Sequence, residues 1–194
     1  MLDWFRDLAM STIVDTRLTY ADLQATPYDG KRYEIIEGEV HVTPAPSWRH
    51  QEIVRNLLVA HHEYVVTAKL GTVAVAPLDV VLDERTALQP DVLFIRADRL
   101  AIVQSGHVEG APDLVIEVLS PGTAAFDRKN KLQAFARAGV SEVWYVDPEA
   151  QAVEVLNLGA DKRYVLSGKF SGEASVISAI LPGLPLFLRE VFAS

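Results

Sequence analysis

The 194-residue sequence contains no cysteine, which excludes disulfide bonds and thiolate metal sites. It also lacks the common signatures of phosphate-binding loops and activated serines, namely GxxxxGK[ST], a GxGxxG turn after a strand, and a GxSxG elbow. No apolar run approaches the roughly eighteen residues that a membrane span requires. These absences favour a soluble, cytoplasmic protein that does not act at a membrane.

Positive charge is scarce. Eighteen Lys and Arg residues stand against 26 Asp and Glu residues, for a net charge of −8. This balance argues against broad, non-specific nucleic-acid binding, because such binding draws its affinity from neutralising phosphates. One stretch is locally basic, since residues 126–138 carry four cationic side chains against one aspartate. The net charge is therefore compatible with a local basic surface.

The length and composition fit one globular domain. A chain of this length buries a substantial core, and its apolar residues amount to 49% of the sequence. Residues 1–17 predict a short helical extension rather than a signal peptide, because they lack a cationic start and a small-residue cleavage site. Residues 18–194 are predicted to form a single domain.

The pattern of apolar residues predicts a mixed α/β (α+β) fold. Thr19 can cap a short helix, residues 32–36 and 39–43 predict a hairpin, and Ser47 begins the clearest helical pattern. Further along, strand signals lead to a loop containing Gly106 and Gly110. Residues 113–147 then read as strand, helix, strand, in which a basic helix over residues 126–138 ends at Gly139. This order predicts a crossover between parallel neighbours. We expect a central mixed sheet flanked by helices, with extra antiparallel strands.

One ionisable residue interrupts the most apolar strand, which reads PDLVIEVL over residues 112–119. Alternate strand residues face the same way, so Glu117 shares one side with Val115 and Leu119. An unpaired carboxylate costs several kcal/mol when it is buried. Glu117 therefore needs a partner in one definite layer, unless the strand meets solvent there. An internal Arg or Lys would also serve as that partner.

Asp91 opens another apolar strand and is a second candidate for chemistry. Two strand carboxylates that meet in space suit a hard cation such as Mg²⁺, which takes one or two carboxylates and keeps several waters. A structural alternative stays open, because Asp91 and Asp113 each follow a proline and aspartate commonly forms turns.

Two further residues have both a functional and a structural interpretation. His61 lacks the HExxH spacing of a helical metal site and falls on the apolar stripe, which favours a core histidine. Lys131 lies at the margin of the apolar face of the basic helix and could reach the sheet. Its alternative is an ordinary surface pair with Asp127, four residues earlier.

Five stretches of the sequence together carry a family resemblance: YEIIEGEV (33–40), SWRHQEIV (47–54), QPDVLFI (89–95), PDLVIEVLSPGT (112–123) and DRKNKLQAFARAGVSEVWYVDP (127–148). The sequence resembles the Uma family of restriction endonucleases, a branch of the PD-(D/E)XK nuclease superfamily. The resemblance runs from about residue 18 to the C-terminal helix, and it implies a restriction-endonuclease-like fold.

The resemblance implies a metal site. Asp91 and Glu117 would bind Mg²⁺ or Mn²⁺, together with the backbone carbonyl of Val118. In the parent pattern a catalytic lysine stands two residues after the glutamate, and that position is Leu119 in this sequence. The resemblance implies that in this family the catalytic lysine has migrated to the following helix. The matching residue in this sequence is Lys131.

Four more positions are implied with less defined roles. Glu34 and His50 match positions that recur near the family's site, where they would add a carboxylate and orient water or phosphate. Their alternatives are a solvent-facing strand residue and a surface residue in the first turn of a helix. Arg128 and Lys129 are expected to contact the phosphate backbone.

The predicted function is that of a Mg²⁺-dependent DNA endonuclease, acting as a homodimer because cutting both strands calls for two sites. Two alternatives stay open. The protein could be a weakly active or inactive nuclease-fold module with a binding or regulatory role. It could also be a metal-dependent hydrolase acting on RNA or on another phosphodiester.

Overall fold

The computed structural model describes residues 17–26, 31–122 and 124–193, in which two β-sheets are flanked by helices. The strands are β1 Arg32–Ile36, β2 Glu39–Thr43, β3 Gly71–Val75, β4 Asp79–Asp83, β5 Thr86–Leu88, β6 Val92–Arg96, β7 His107–Glu109, β8 Leu114–Val118, β9 Glu142–Asp147, β10 Ala152–Leu158 and β11 Tyr164–Ser171. The predicted N-terminal helical extension, apart from residue 17, lies outside the described residues.

The helices, in chain order, are α1 Tyr20–Ala25, α2 Trp48–Thr67, a 3₁₀ helix Ala97–Ile102, α3 Ala124–Phe126, a π-helical turn Asp127–Lys131, α4 Leu132–Ala138 and α5 Leu188–Val191. Among the described residues, no helix combines the length and apolar character needed to cross a membrane.

The larger sheet has six strands in the order β11-β10-β9-β8-β6-β3. Its one parallel pair is β8 and β9, and the other neighbours are antiparallel. The chain between β8 and β9 runs through α3, the π-helical turn and α4, which we call the crossover helix. The predicted crossover and the mixed central sheet are confirmed.

The smaller sheet has five strands in the order β2-β1-β5-β4-β7. The predicted hairpin of β1 and β2 is confirmed, and Glu34 pairs with His41 in its register. The sequence did not predict β5, or β7 in the supposed loop between Gly106 and Gly110. Each of these strands has three residues, which is too short to display a two-residue period.

Side-chain caps begin the two helices near the N-terminus. Thr19 and Asp22 form a reciprocal capping box at α1, and the Ser47 hydroxyl accepts from the backbone N–H of His50 at α2. Helix α2 buries one stripe that includes Ile53 and Leu57. The cap at Ser47 fixes the start of α2 and so places His50 in its first turn.

The two faces of the larger sheet carry different layers. Ile116 and Val118 pack on one face with α2 and the C-terminal segment. Val115 and Leu119 pack on the other face with the crossover helix and with β1 and β5 of the smaller sheet. The predicted alternation along β8 is therefore confirmed, and Glu117 points toward the crossover helix and the smaller sheet.

The crossover helix differs from the continuous helix predicted for residues 126–138. It begins at Ala124, and the π-helical turn Asp127–Lys131 interrupts it before α4. It ends at Gly139 as expected, with φ of 93°, a conformation that glycine adopts without steric cost. The π-helical turn places Asp127 and Lys131 on one buried side of the helix.

Candidate functional site

Four carboxylates and one lysine are buried together where β1, the start of β6, the end of β8 and the crossover helix meet. All are at most 6% exposed, and they are Glu34, Asp91, Glu117, Asp127 and Lys131. We call these five residues the acidic cluster. They line a cleft of about 820 Å³. The cluster draws on both sheets, so it exists only when the tertiary structure forms.

Sheet register brings Asp91 to Glu117. Val92 of β6 pairs with Ile116 of antiparallel β8, so the next position places Asp91 beside Glu117. The Oδ2 atom of Asp91 accepts from the backbone N–H of Val118 at 2.8 Å. Asp91 thus lies at the end of β8, next to Val118, the residue whose backbone carbonyl the resemblance implied as a ligand.

His50 contacts the other oxygen of Asp91. Its Nε2 lies 3.1 Å from Oδ1 of Asp91, which is hydrogen-bonding distance. The side chain of His50 is 14% exposed. The alternative of a surface residue in the first turn is therefore wrong for His50.

Lys131 reaches the sheet and contacts three carboxylates. Its Nζ lies 3.0 Å from Glu34 Oε1, 3.3 Å from Glu117 Oε1 and 3.5 Å from Asp127 Oδ1. The pair with Asp127 exists as the alternative proposed, but it is buried with the rest of the cluster. The structure thus brings the predicted lysine to the predicted glutamate.

Glu34 is held by the segment that precedes Asp91. Its Oε1 accepts from the backbone N–H of Gln89 at 2.7 Å, and Glu34 is 2% exposed. The alternative of a solvent-facing position on β1 is wrong. The smaller sheet therefore contributes a carboxylate to the site.

The electrostatics of the acidic cluster favour a charged lysine and a protonated carboxyl. Burial raises the pKa of Glu117 well above its usual value, and Asp91, Asp127 and Glu34 raise it further, while Lys131 opposes them. Burial alone would lower the pKa of Lys131, but the surrounding carboxylates outweigh burial and raise it. Lys131 therefore remains an ammonium, and Glu117 is prone to hold a proton.

Tyr145 supports the π-helical turn from β9, where it pairs with Glu117 across the parallel ladder. Its hydroxyl donates to the backbone carbonyl of Asp127 at 2.9 Å. Burial, with help from Glu117 and Asp127, raises the pKa of Tyr145 and keeps the hydroxyl protonated as a donor. Sequence reasoning missed Tyr145, because nothing in the strand EVWYVD marks one aromatic as a contact of the site.

The two predicted phosphate-contacting residues differ in position. Arg128 lines the cleft, where it stacks over the ring of Tyr145 at 4.8 Å and pairs with Glu154. Lys129 is exposed on the same turn and is not part of the cleft wall. Contact of either residue with nucleic acid stays a prediction.

Three other residues that the sequence analysis named are structural. Asp113 accepts hydrogen bonds from the backbone N–H of Arg96 at 2.9 Å and from the side chain of Arg99 at 2.8 Å. It therefore anchors the start of β8, the end away from the acidic cluster. Leu119 packs in the core at 7% exposure. His61 is fully buried, as predicted for a core histidine.

The described residues contain no ready-made group of three or more His, Asp or Glu side chains arranged around a metal position. Asp91 and Glu117 could still supply two carboxylates to Mg²⁺, which keeps several of its waters. The acidic cluster also buries four carboxylates against one ammonium, an imbalance that a divalent cation would offset. The donor set therefore fits a hard, partly hydrated cation.

Comparison with known proteins places the chain in a family. The Uma2 family model, described as "Putative restriction endonuclease", matches residues 19–189. The chain belongs to the Uma2 family. The family resemblance inferred from the sequence is thereby confirmed. No curated protein matches the chain.

A crystal structure with the same fold is described as a "putative nuclease belonging to DUF820" from Anabaena variabilis. It superposes on this Uma2 member with a TM-score of 0.75, covers 91% of this chain and 98% of its own, and is 20% identical in sequence. At that identity the likeness shows the fold alone. It confirms the nuclease-like fold with its mixed sheets and flanking helices.

Proposed function

We propose that this Uma2 member is a metal-dependent endonuclease that hydrolyses phosphodiester bonds in DNA. The observation that carries the proposal is the contact between Lys131 and Glu117 beside Asp91, at the base of an open cleft. The family description supports a nuclease, and so does the description of the structural neighbour as a nuclease.

The metal would be held by Asp91, Glu117 and the backbone carbonyl of Val118. Bound there, Mg²⁺ or Mn²⁺ would polarise the scissile phosphate and lower the pKa of a bound water. The hydrogen bonds from His50 and from the Val118 N–H fix the orientation of Asp91 before any ligand arrives. This preorganisation spares the site a rearrangement on binding.

Lys131 would stabilise negative charge that develops on the phosphate. Its ammonium is buried and fixed by three carboxylates, so its field acts in a region from which water is largely excluded. The side chain comes from the crossover helix rather than from β8. The ammonium therefore occupies the side of β8 toward which Leu119 also projects, as the migrated-lysine hypothesis requires.

A cleavage assay tests the proposal. Purified protein is incubated with supercoiled, linear and single-stranded DNA and with RNA, in Mg²⁺ or Mn²⁺, and compared with Glu117→Gln and Lys131→Ala. We expect cleavage of DNA and a loss of at least roughly 100-fold in each variant. Glu63→Gln, an exposed carboxylate on α2, is the matched control and should cleave normally.

Activity that survives both substitutions would show that the acidic cluster is not the site. Cleavage of RNA alone would favour the alternative of a hydrolase acting on RNA. The assay thus distinguishes an error in the proposed site from an error in the proposed substrate. Native mass measurement would test whether the protein is a homodimer, as cutting two strands suggests.

A second candidate function is a nuclease-fold binding module with little or no activity. It is favoured by Leu119 at the usual lysine position and by the net charge of −8. Calorimetric titration with Mg²⁺ and Mn²⁺ separates the two candidates. Binding that Asp91→Ala abolishes supports the enzyme, whereas no binding of either cation supports the module.

A further inference from the structure

The cleft contains one arginine whose charge is not matched by a carboxylate. Four Arg and Lys side chains line the cleft, and Arg49, Arg128 and Lys131 each form an ion pair. The hydrogen bonds of Arg32 go to Gln89 instead, and no carboxylate of the described chain lies within ion-pair distance of it. Arg32 is therefore an uncompensated cation in an acidic cleft.

Gln89 holds the guanidinium of Arg32 in a fixed orientation. The Nε of Arg32 donates to Gln89 Oε1 at 3.1 Å, and its Nη2 donates to the Gln89 backbone carbonyl at 2.9 Å. These bonds use two of the five N–H donors of Arg32 and engage only neutral acceptors. The remaining donors and the full charge are available to a ligand.

The amide of Gln89 is oriented in turn by a chain of hydrogen bonds. Its Nε2 donates to Asp79 Oδ1 at 2.8 Å, and the hydroxyl of Tyr20 donates to Asp79 Oδ2 at 2.9 Å. Asp79 thereby fixes which end of the amide faces Arg32. The position of Arg32 is thus built by residues from α1, β4 and the segment before Asp91.

Arg32 also lies next to the acidic cluster. Arg32 and Glu34 are two residues apart on β1, so their side chains lie on the same face of the sheet, about 7 Å apart along the strand. The backbone N–H of Gln89 donates to Glu34, so the same residue fixes Arg32 and one carboxylate of the cluster. A charged group bound at Arg32 would therefore be close to a group bound at Glu117 and Lys131.

We infer that Arg32 is a phosphate-contacting residue, positioned by Gln89, that binds a phosphodiester group of the substrate adjacent to the reacting one. The inference rests on the proposed function for its choice of substrate. A guanidinium with free donors binds phosphate oxygens through paired N–H groups and loses little hydration in doing so. It also offsets the repulsion between the acidic cleft and a polyanion.

The test is the salt dependence of oligonucleotide binding. Fluorescently labelled duplex DNA, single-stranded DNA and RNA of one sequence are titrated with protein carrying Glu117→Gln, in Mg²⁺, so that the oligonucleotide stays intact. Arg32→Gln is compared with Arg163→Gln, which removes the same charge from an exposed turn outside the cleft.

We expect Arg32→Gln to weaken binding roughly ten-fold, and to lower the slope of log affinity against log salt by about 0.9 for duplex DNA. Arg163→Gln should change neither quantity. Equal affinities and slopes for the two variants would overturn the inference, and so would the absence of oligonucleotide binding by the parent protein.

Two more variants separate positioning from folding. Gln89→Met keeps the charge of Arg32 but removes its side-chain acceptor, so we expect a several-fold loss of affinity with the salt slope retained. Arg32→Lys should behave likewise, and full affinity with lysine would refute the positioning by Gln89. Thermal unfolding confirms that each variant is folded.

The cleavage assay separates this inference from the proposed function. If the wild-type protein cleaves no nucleic acid but Arg32→Gln still lowers the salt slope of binding, the enzyme proposal fails and the phosphate contact stands. If the wild type cleaves DNA and Arg32→Gln binds as Arg163→Gln does, the phosphate contact fails alone.

Discussion

The two faces of the larger sheet bury carboxylates in opposite ways. On the face covered by α2, Glu142 accepts three hydrogen bonds from neutral donors, which are Trp144 Nε1 at 2.8 Å, Ser178 Oγ at 2.6 Å and the Ala179 N–H at 2.8 Å. On the opposite face, Glu117 accepts one hydrogen bond within the described chain, from an ammonium shared with two other carboxylates.

The difference shows which buried charge is structural. Glu142 is saturated by fixed donors, and it ties β9 to the segment around residue 178, so its burial is explained by packing alone. Glu117 lies among like charges and retains accepting capacity toward a cleft. A cluster of that kind costs stability, and such clusters are typical of sites that bind ions or perform catalysis.

Removing the lysine should be the most damaging way to disturb the acidic cluster. Lys131→Met leaves Glu34, Glu117 and Asp127 without their shared cation, and we expect a loss of about 3 to 5 kcal/mol in the free energy of unfolding. Urea unfolding at neutral pH measures this. Lys129→Met, an exposed lysine on the same turn, should change stability by less than about 0.5 kcal/mol. If Lys131→Met and Lys129→Met changed the free energy of unfolding by similarly small amounts, the stability of the acidic cluster would not depend on the Lys131 ammonium.

Removing Glu142 should lower the stability of the protein without changing its cleavage activity. Glu142→Leu leaves Trp144 Nε1 and the Ala179 N–H without their acceptor, which we expect to cost about 3 kcal/mol. Glu63→Leu on the exposed side of α2 is the control for stability. Cleavage below the unfolding temperature should match wild type. A selective loss of cleavage would show that the two faces are not independent.

The burial of His61 should make the free energy of unfolding fall in acid. Its Nδ1 bonds the Leu57 carbonyl at 2.8 Å, its ring contacts Trp144, and burial lowers its pKa from 6.5 to about 4. The unfolded chain therefore takes up a proton first as pH falls below 6.5, and stability drops by about 2 to 3 kcal/mol before the folded form is also protonated near pH 4.

His61→Leu should remove this part of the pH dependence. The measurement is the free energy of unfolding at neutral pH and at about pH 4.5, compared between wild type and variant. His62→Leu is the control, because His62 is the exposed neighbour on the same helix. Equal pH dependence in wild type and His61→Leu would contradict the assignment.

Local sequence patterns predicted the parts of the fold that depend on neighbouring residues. The caps at Thr19 and Ser47, the hairpin turn and the alternation along β8 each follow from side chains a few positions apart. The predicted approach of Lys131 to Glu117 came from the family resemblance, and the strand parity of Glu117 made it geometrically reasonable.

The sequence could not distinguish between residues whose roles depend on long-range contacts. Asp91 and Asp113 both follow a proline, yet one meets the acidic cluster and the other pairs with Arg99. Arg32 gave no signal, because its partner Gln89 is 57 residues away in the chain. The π-helical turn was missed as well, and its backbone accepts a hydrogen bond from the side chain of Tyr145 on β9, 18 residues after Asp127.

The smallest expected change in stability has the opposite sign. Glu117→Gln removes a buried charge that its neighbours disfavour, and the amide has nearly the same shape. Because burial and nearby carboxylates raise the pKa of Glu117 above 4.5, folding must suppress its ionisation at neutral pH, and this cost grows as pH rises above 4.5. We expect Glu117→Gln to be about 1 kcal/mol more stable than wild type at neutral pH, and equal to it below pH 4.5. Urea unfolding at the two pH values, without divalent cations, measures the difference.

The control Glu142→Gln should instead be destabilised at both pH values. The NH₂ group of the new amide would face one of the three hydrogen-bond donors that contact Glu142, and two donors cannot bond each other. If both variants lose stability alike, Glu117 is a structural carboxylate like Glu142, and the distinction between the two faces fails.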